Sequence, residues 1–117
     1  MRRRQEESPA SKLERAVVCF GESDAARTVV GLTRSLGRPS VSVGAAAGSP
    51  SEVRITVAWD LCWYQWGVDL GDDRRQVFQI DRGTELAQLD GSARQWNASA
   101  GEGGRIALGE PAREPVG

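Results

Sequence analysis

The stretch VRITVAWDLCWYQWGVDL, residues Val53 to Leu70, decides the fold. Val53, Ile55, Val57, Trp59, Leu61 and Trp63 are apolar at a spacing of two. Arg54, Thr56, Ala58, Asp60 and Cys62 lie between them. That alternation, with β-branched and aromatic residues, predicts a half-buried strand. Ser49-Pro50-Ser51-Glu52 just upstream has the form of a capping box and argues for a helix from Pro50 instead. The alternation outweighs it.

After Trp63 the pattern changes phase, and Tyr64, Trp66, Val68 and Leu70 become the apolar set. Eighteen extended residues at about 3.3 Å each span roughly 60 Å. A domain of about 100 residues has a radius of gyration of only about 13 Å. The run must bend, and a bulge or sharp coil is expected between Leu61 and Tyr64.

Working outward, Ala16 to Phe20 (AVVCF) reads as a short buried strand. Ser23 is a good N-cap for a helix over about Asp24 to Leu36, with Gly37 past its end and Pro39 preventing continuation. Ser40 to Val43 alternates and gives the next strand. Gly71-Asp72-Asp73 signals a turn, and Arg74 to Ile80 reads as the returning strand. One short helix fits after Thr84. Residues 95–99 and 105–108 flank Gly101 to Gly104 as a last small hairpin. The expected fold is α+β: a strand–helix–strand unit, then a long bent hairpin, in a mostly antiparallel sheet with one main helix on a face.

The 117 residues, 39% of them apolar, suit one small domain. Residues 1–12 and 109–117 are polar or rich in Pro and Gly and read as disordered tails, leaving residues 13–108 as the domain. Fourteen arginines against one lysine suggest GC-rich bacterial coding rather than a set of phosphate ligands. Residues 51–117 carry seven positive and eleven negative side chains, an acidic balance that argues against nucleic acid as partner. The run Arg2-Arg3-Arg4 is followed by no apolar stretch, and no segment approaches the roughly 20 apolar residues of a membrane span. A cytoplasmic location is expected, with Cys19 and Cys62 as free thiols.

The chain has no histidine, which removes Ser–His–Asp and Cys–His catalysis and His-ligated metals. Other candidate motifs read as ordinary structure. Glu22 and Asp24 oppose an anion at the helix start near Ser23. Asp69, Asp72 and Asp73 lack EF-hand spacing. Asp60 and Cys62 share a face with Arg54, but no base for the thiol is at hand. The Gly-rich turn at 101–104 contains Glu102. No cofactor or metal is expected.

The aromatics remain. Trp59 and Trp63 are expected in the core, and the phase change places Tyr64, Trp66 and Val68 on the opposite face as an exposed patch. The leading expectation is a non-catalytic module that binds a protein partner or itself through that patch or a free strand edge. The alternative is a small-ligand domain or minor enzyme with a cleft near Asp60 and Cys62 that uses Arg54 as a polar group.

Overall fold

A computed structural model describes residues 9–46, 48–71 and 76–109. The order of elements is α1 (Pro9–Gly21), α2 (Asp24–Leu36), β1 (Ser40–Ala45), β2 (Glu52–Ala58), β3 (Trp63–Asp69), β4 (Val77–Gly83), β5 (Ala98–Ala100) and β6 (Ile106–Leu108). The strands form one sheet in the order β4-β3-β2-β1-β5-β6, with every pair antiparallel. The fold is α+β, two helices on one face of a six-stranded sheet.

The first element corrects the expectation at Ala16 to Phe20, which is helix and not strand. A five-residue apolar run carries no period of its own. Extended back to Leu13, the inward set becomes Leu13, Ala16, Val17 and Phe20, the one-face spacing of a helix. Val18, between them, is exposed. The unit is therefore helix–helix–strand. Helix α1 also begins at Pro9, inside the segment expected as a tail. The rest of that tail, residues 1–8 and 110–117, lies outside the described residues, as do Asp72, Asp73 and the first residues of the expected returning strand.

Helix α2 matches its reading. The Ser23 hydroxyl oxygen accepts from the Ala25 amide at 3.2 Å, and Gly37 ends the helix at φ 92°, where a side chain is disfavoured.

The central run is a hairpin. The Trp59 amide donates to the Cys62 carbonyl at 2.7 Å, and Asp60 and Leu61 form the exposed tip. The register pairs Val57 with Tyr64, Ile55 with Trp66 and Val53 with Val68. Directly opposed residues of antiparallel strands point to the same face. Odd positions of β2 and even positions of β3 therefore share one face, and the phase change marks the chain reversal.

That face is the helix-covered one, which corrects the expectation of an exposed patch. Trp66 is 4% exposed and Val68 fully buried. Trp66 meets Phe20 of α1 edge-on, with ring centroids 5.2 Å apart, and stacks on Tyr64 at 5.6 Å. Tyr64 is half-buried beside them and meets Trp59 edge-on. The Trp59 indole donates to the Gly37 carbonyl at 2.8 Å, tying the hairpin tip to the end of α2.

Gly104 belongs to the same side. Its φ is 77°, and a Cβ there would stand 2.4 Å from the Ala26 carbonyl oxygen. The glycine-rich turn is thus a close seat on α2.

Replacing Trp66 by Ser removes the ring that joins α1 to the sheet. The expected cost is about 3–5 kcal/mol, as for other large core truncations. A urea melt showing a loss under about 1 kcal/mol would contradict the core placement.

Candidate functional site

The helices cover one face of the sheet; the other face carries the site. After β4 the chain stands at one sheet edge, while the next strand, β5, pairs with β1. Residues 84–97 cross between them over the uncovered face. Two short 3-10 turns, Leu86–Gln88 and Gly91–Ala93, shape this strap.

Three sets of contacts hold it down. Trp63 is 3% exposed and packs with Ala58, Leu89, Ala93 and Trp96 in a small second core. Its indole donates to the Glu85 carbonyl at 2.9 Å. Gly83 makes room for this, since a Cβ there would lie 2.4 Å from Gln88 Oε1 and 2.6 Å from the Trp63 ring. Gln88 Oε1 in turn accepts from the Thr84 and Glu85 amides. At the far end, the Gln95 amide donates to Ser42 Oγ at 3.1 Å. The Asn97 side chain accepts from the Val43 amide at 2.8 Å and donates to the Val43 carbonyl at 2.9 Å. A side-chain amide thus stands where a strand partner of β1 would be.

Beneath the strap the strand register lays out two rows. One is Ser42, Thr56, Gln65 and Asp81, polar across four strands. Ser42 and Thr56 are buried, and Gln65 Nε2 donates to Thr56 Oγ1 at 3.1 Å. The other is Gly44, Arg54, Gly67 and Phe78. Arg54 therefore has a glycine on each neighbouring strand.

The two glycines differ. At Gly67 a Cβ would lie 2.7 Å from the Phe78 ring and 2.9 Å from Glu52 Oε2, so that position must be bare for its neighbours. At Gly44 a Cβ would meet nothing within 4 Å among the described residues, and the backbone is ordinary strand. Neither packing nor backbone conformation requires glycine there.

The polar row, with Gly44 and Arg54, and the strap border an open cavity of about 200 Å³, in which Arg54, Asp81 and Asp90 are exposed. Its charged lining residues are Arg54, Asp81 and Asp90. Arg54 Nε donates to Glu52 at 3.2 Å. Asp81 Oδ1 accepts from the Arg82 amide at 2.8 Å. Asp90 Oδ1 accepts from Ser92 Oγ at 2.7 Å and from the Ala93 amide at 3.1 Å. The Ser92 bond first, then the Ala93 amide and the nearby Arg54 charge, hold the Asp90 carboxyl below its ordinary value.

Of the binding residues expected from the sequence, Arg54 alone lines this cavity, joined there by Trp63, which was expected in the core. Asp60 is exposed at the hairpin tip, and Cys62 packs against the helix-side core. Tyr64, Trp66 and Val68 belong to the other face. Sequence reading missed Asp81, Asp90 and Gly44. Gly44 carried one signal, a glycine inside an alternating strand. Asp81 joins the site through the register of β4 and Asp90 through the strap, and neither leaves a local pattern.

Among the described residues no group of His, Cys, Asp or Glu could hold a metal ion, and no helix is long and apolar enough to cross a membrane. No protein-family model, curated protein or solved structure matches the chain.

Asp90 supplies a pH test. A carboxyl held low in the folded state stabilises the fold above its unfolded value, near about 3.9, and loses that effect as pH falls through the folded value. The Ala93 amide, which donates to the Asp90 carbonyl as well as to its carboxylate, should therefore keep constant exchange protection down to about pH 4 and lose part of it below. In Asp90→Asn that step should vanish; an unchanged step would assign it to another group.

Proposed function

We propose that this protein is a non-catalytic binding domain for a small polar ligand, held between the sheet and the strap that crosses it. The observation that carries this reading is Gly44. A glycine in mid-strand costs about 0.5–1 kcal/mol relative to alanine. At Gly44 no turn, bulge or close neighbour accounts for it. What its missing side chain leaves is open space beside Arg54, in a cavity lined by polar and charged groups. Glycine within a strand is often found where something else approaches closely.

The pocket departs from the cleft expected at Asp60 and Cys62, and keeps only Arg54 from that set. Its size supports a small occupant, since drug-sized ligands take about 300–1,000 Å³. Trp63 lines the pocket and reports on it through its fluorescence.

A protein-partner reading has one observation of its own. β4 is an edge strand of mostly exposed residues, and an edge offers unpaired backbone groups to an added strand. Ile80, an extra residue where the β3–β4 register shifts, bulges that edge and works against such addition. The pocket is therefore the leading site.

Gly44→Val tests the reading. The free variant should be at least as stable as wild type, because a branched side chain suits a strand and its Cβ has nothing within 4 Å among the described residues. Against a panel of amino acids, sugars, polyols, dicarboxylates and diamines, wild type should give ligand-dependent thermal shifts and Trp fluorescence changes that Gly44→Val lacks. No response in wild type, or an equal response in the variant, would refute the pocket.

A further inference from the structure

Three charged groups in the pocket have bonding capacity left over. Arg54 uses Nε on Glu52, and among the described residues its two Nη groups have no hydrogen-bonded acceptor. Asp81 accepts at Oδ1 alone among the described residues. Asp90 accepts at Oδ1 from Ser92 Oγ and the Ala93 amide and also takes a backbone bond from Ser92. A carboxylate has about four lone-pair sites, so one cavity presents a guanidinium fork and two carboxylates with acceptor capacity left.

These groups select a ligand by sign. A simple anion would bond Arg54 but face Asp81 and Asp90, with Glu52 close behind. A simple cation would bond the two aspartates but face the guanidinium. A molecule carrying an ammonium and a carboxylate on one carbon offers complementary charge to all three groups. Resting on the pocket reading above, we propose that the ligand is a free α-amino acid with a small side chain, its carboxylate on Arg54 and its ammonium on Asp81 and Asp90.

Arg54 is placed for that role. A guanidinium binds a carboxylate best through two parallel bonds in one plane, which requires an open approach. Gly44 keeps one flank of that approach free of a side chain, while on the other flank Phe78 and Glu52 lie over Gly67. The cavity of about 200 Å³ limits the rest of the molecule. Leu89 and Ala93 give its strap side an apolar wall that suits a methyl or hydroxymethyl group.

The test is isothermal titration of the full chain with glycine, L-alanine and L-serine. N-acetyl-L-alanine, which lacks the ammonium, and L-alaninamide, which lacks the carboxylate, are the paired probes. A free amino acid should bind at least about tenfold more tightly than either masked form, a difference of about 1.4 kcal/mol. Arg54→Gln should weaken alanine binding about tenfold or more and leave the cationic alaninamide no weaker, since it loses a repelling charge. Asp81→Asn with Asp90→Asn should do the reverse, weakening alanine and leaving the anionic N-acetylalanine no weaker. Circular dichroism checks that each variant is folded.

Masked forms that bind as tightly as the free amino acid would overturn the assignment, as would no binding by any of the three amino acids. The thermal-shift panel separates the two failures. Another compound that shifts wild type and not Gly44→Val would leave the pocket standing with a different ligand class. No response to any compound would remove both.

Discussion

The structure depends on one topological constraint. Four strands run as a meander from β1 to β4, so the chain finishes at the far edge of the sheet from β1. β5 must pair with β1, and the helices already occupy one face. The only remaining path lies over the other face. A bare crossing would leave a loop unsupported on polar sheet, so the crossing needs anchors. Trp63 supplies the apolar one beneath Leu89 and Ala93. Asn97 supplies the polar one by bonding both backbone groups of Val43. An unpaired buried backbone group costs about 1–3 kcal/mol, so this one side chain offsets a substantial penalty at the β1 edge.

The site follows from that crossing. Over Ala58 and Trp63 the strap packs tightly. Toward Gly44 and Arg54 it stands away, and the gap is lined by the sheet's polar rows and by Asp90. Two glycines flank Arg54 for different reasons. Gly67 is bare because Phe78 and Glu52 lie over it, whereas Gly44 is bare over open space. The same residue type thus serves packing on one side and vacancy on the other. Arg54, held at Nε by Glu52, is oriented without being fully consumed. A half-exposed ion pair of this kind adds little to stability, so its value lies in positioning.

Much of this was legible in the chain, and the failures have physical causes. Period-two alternation marked residues 53–70 as extended but as one bent run rather than the paired strands β2 and β3, Ser23 and Gly37 bounded α2, and the glycines at 101–104 marked the last hairpin. Helix α1 was lost because Ala16 to Phe20 is apolar all along, and only Leu13 restores the period. The Tyr64–Trp66–Val68 face was inverted because a phase change has two sources, a bulge within a strand and a reversal between strands. Only the second returns the apolar set to the same side. Of the site, Arg54 could be named because it sits in the alternation. Asp81 reaches the site through the pairing of β4 with β3, and Asp90 through a loop whose path depends on which edge β5 joins; both are properties of the whole sheet.

The most direct measurement is amide hydrogen exchange by NMR at Val43. Its N–H points away from β2 and has no strand facing it; the Asn97 side chain alone accepts from it. If the strap docks as described, this amide should exchange as slowly as the amides of central β2. Exchange as fast as the exposed amides of β4 would mean that Asn97 does not hold the strap against β1, and the pocket beneath it would have no roof.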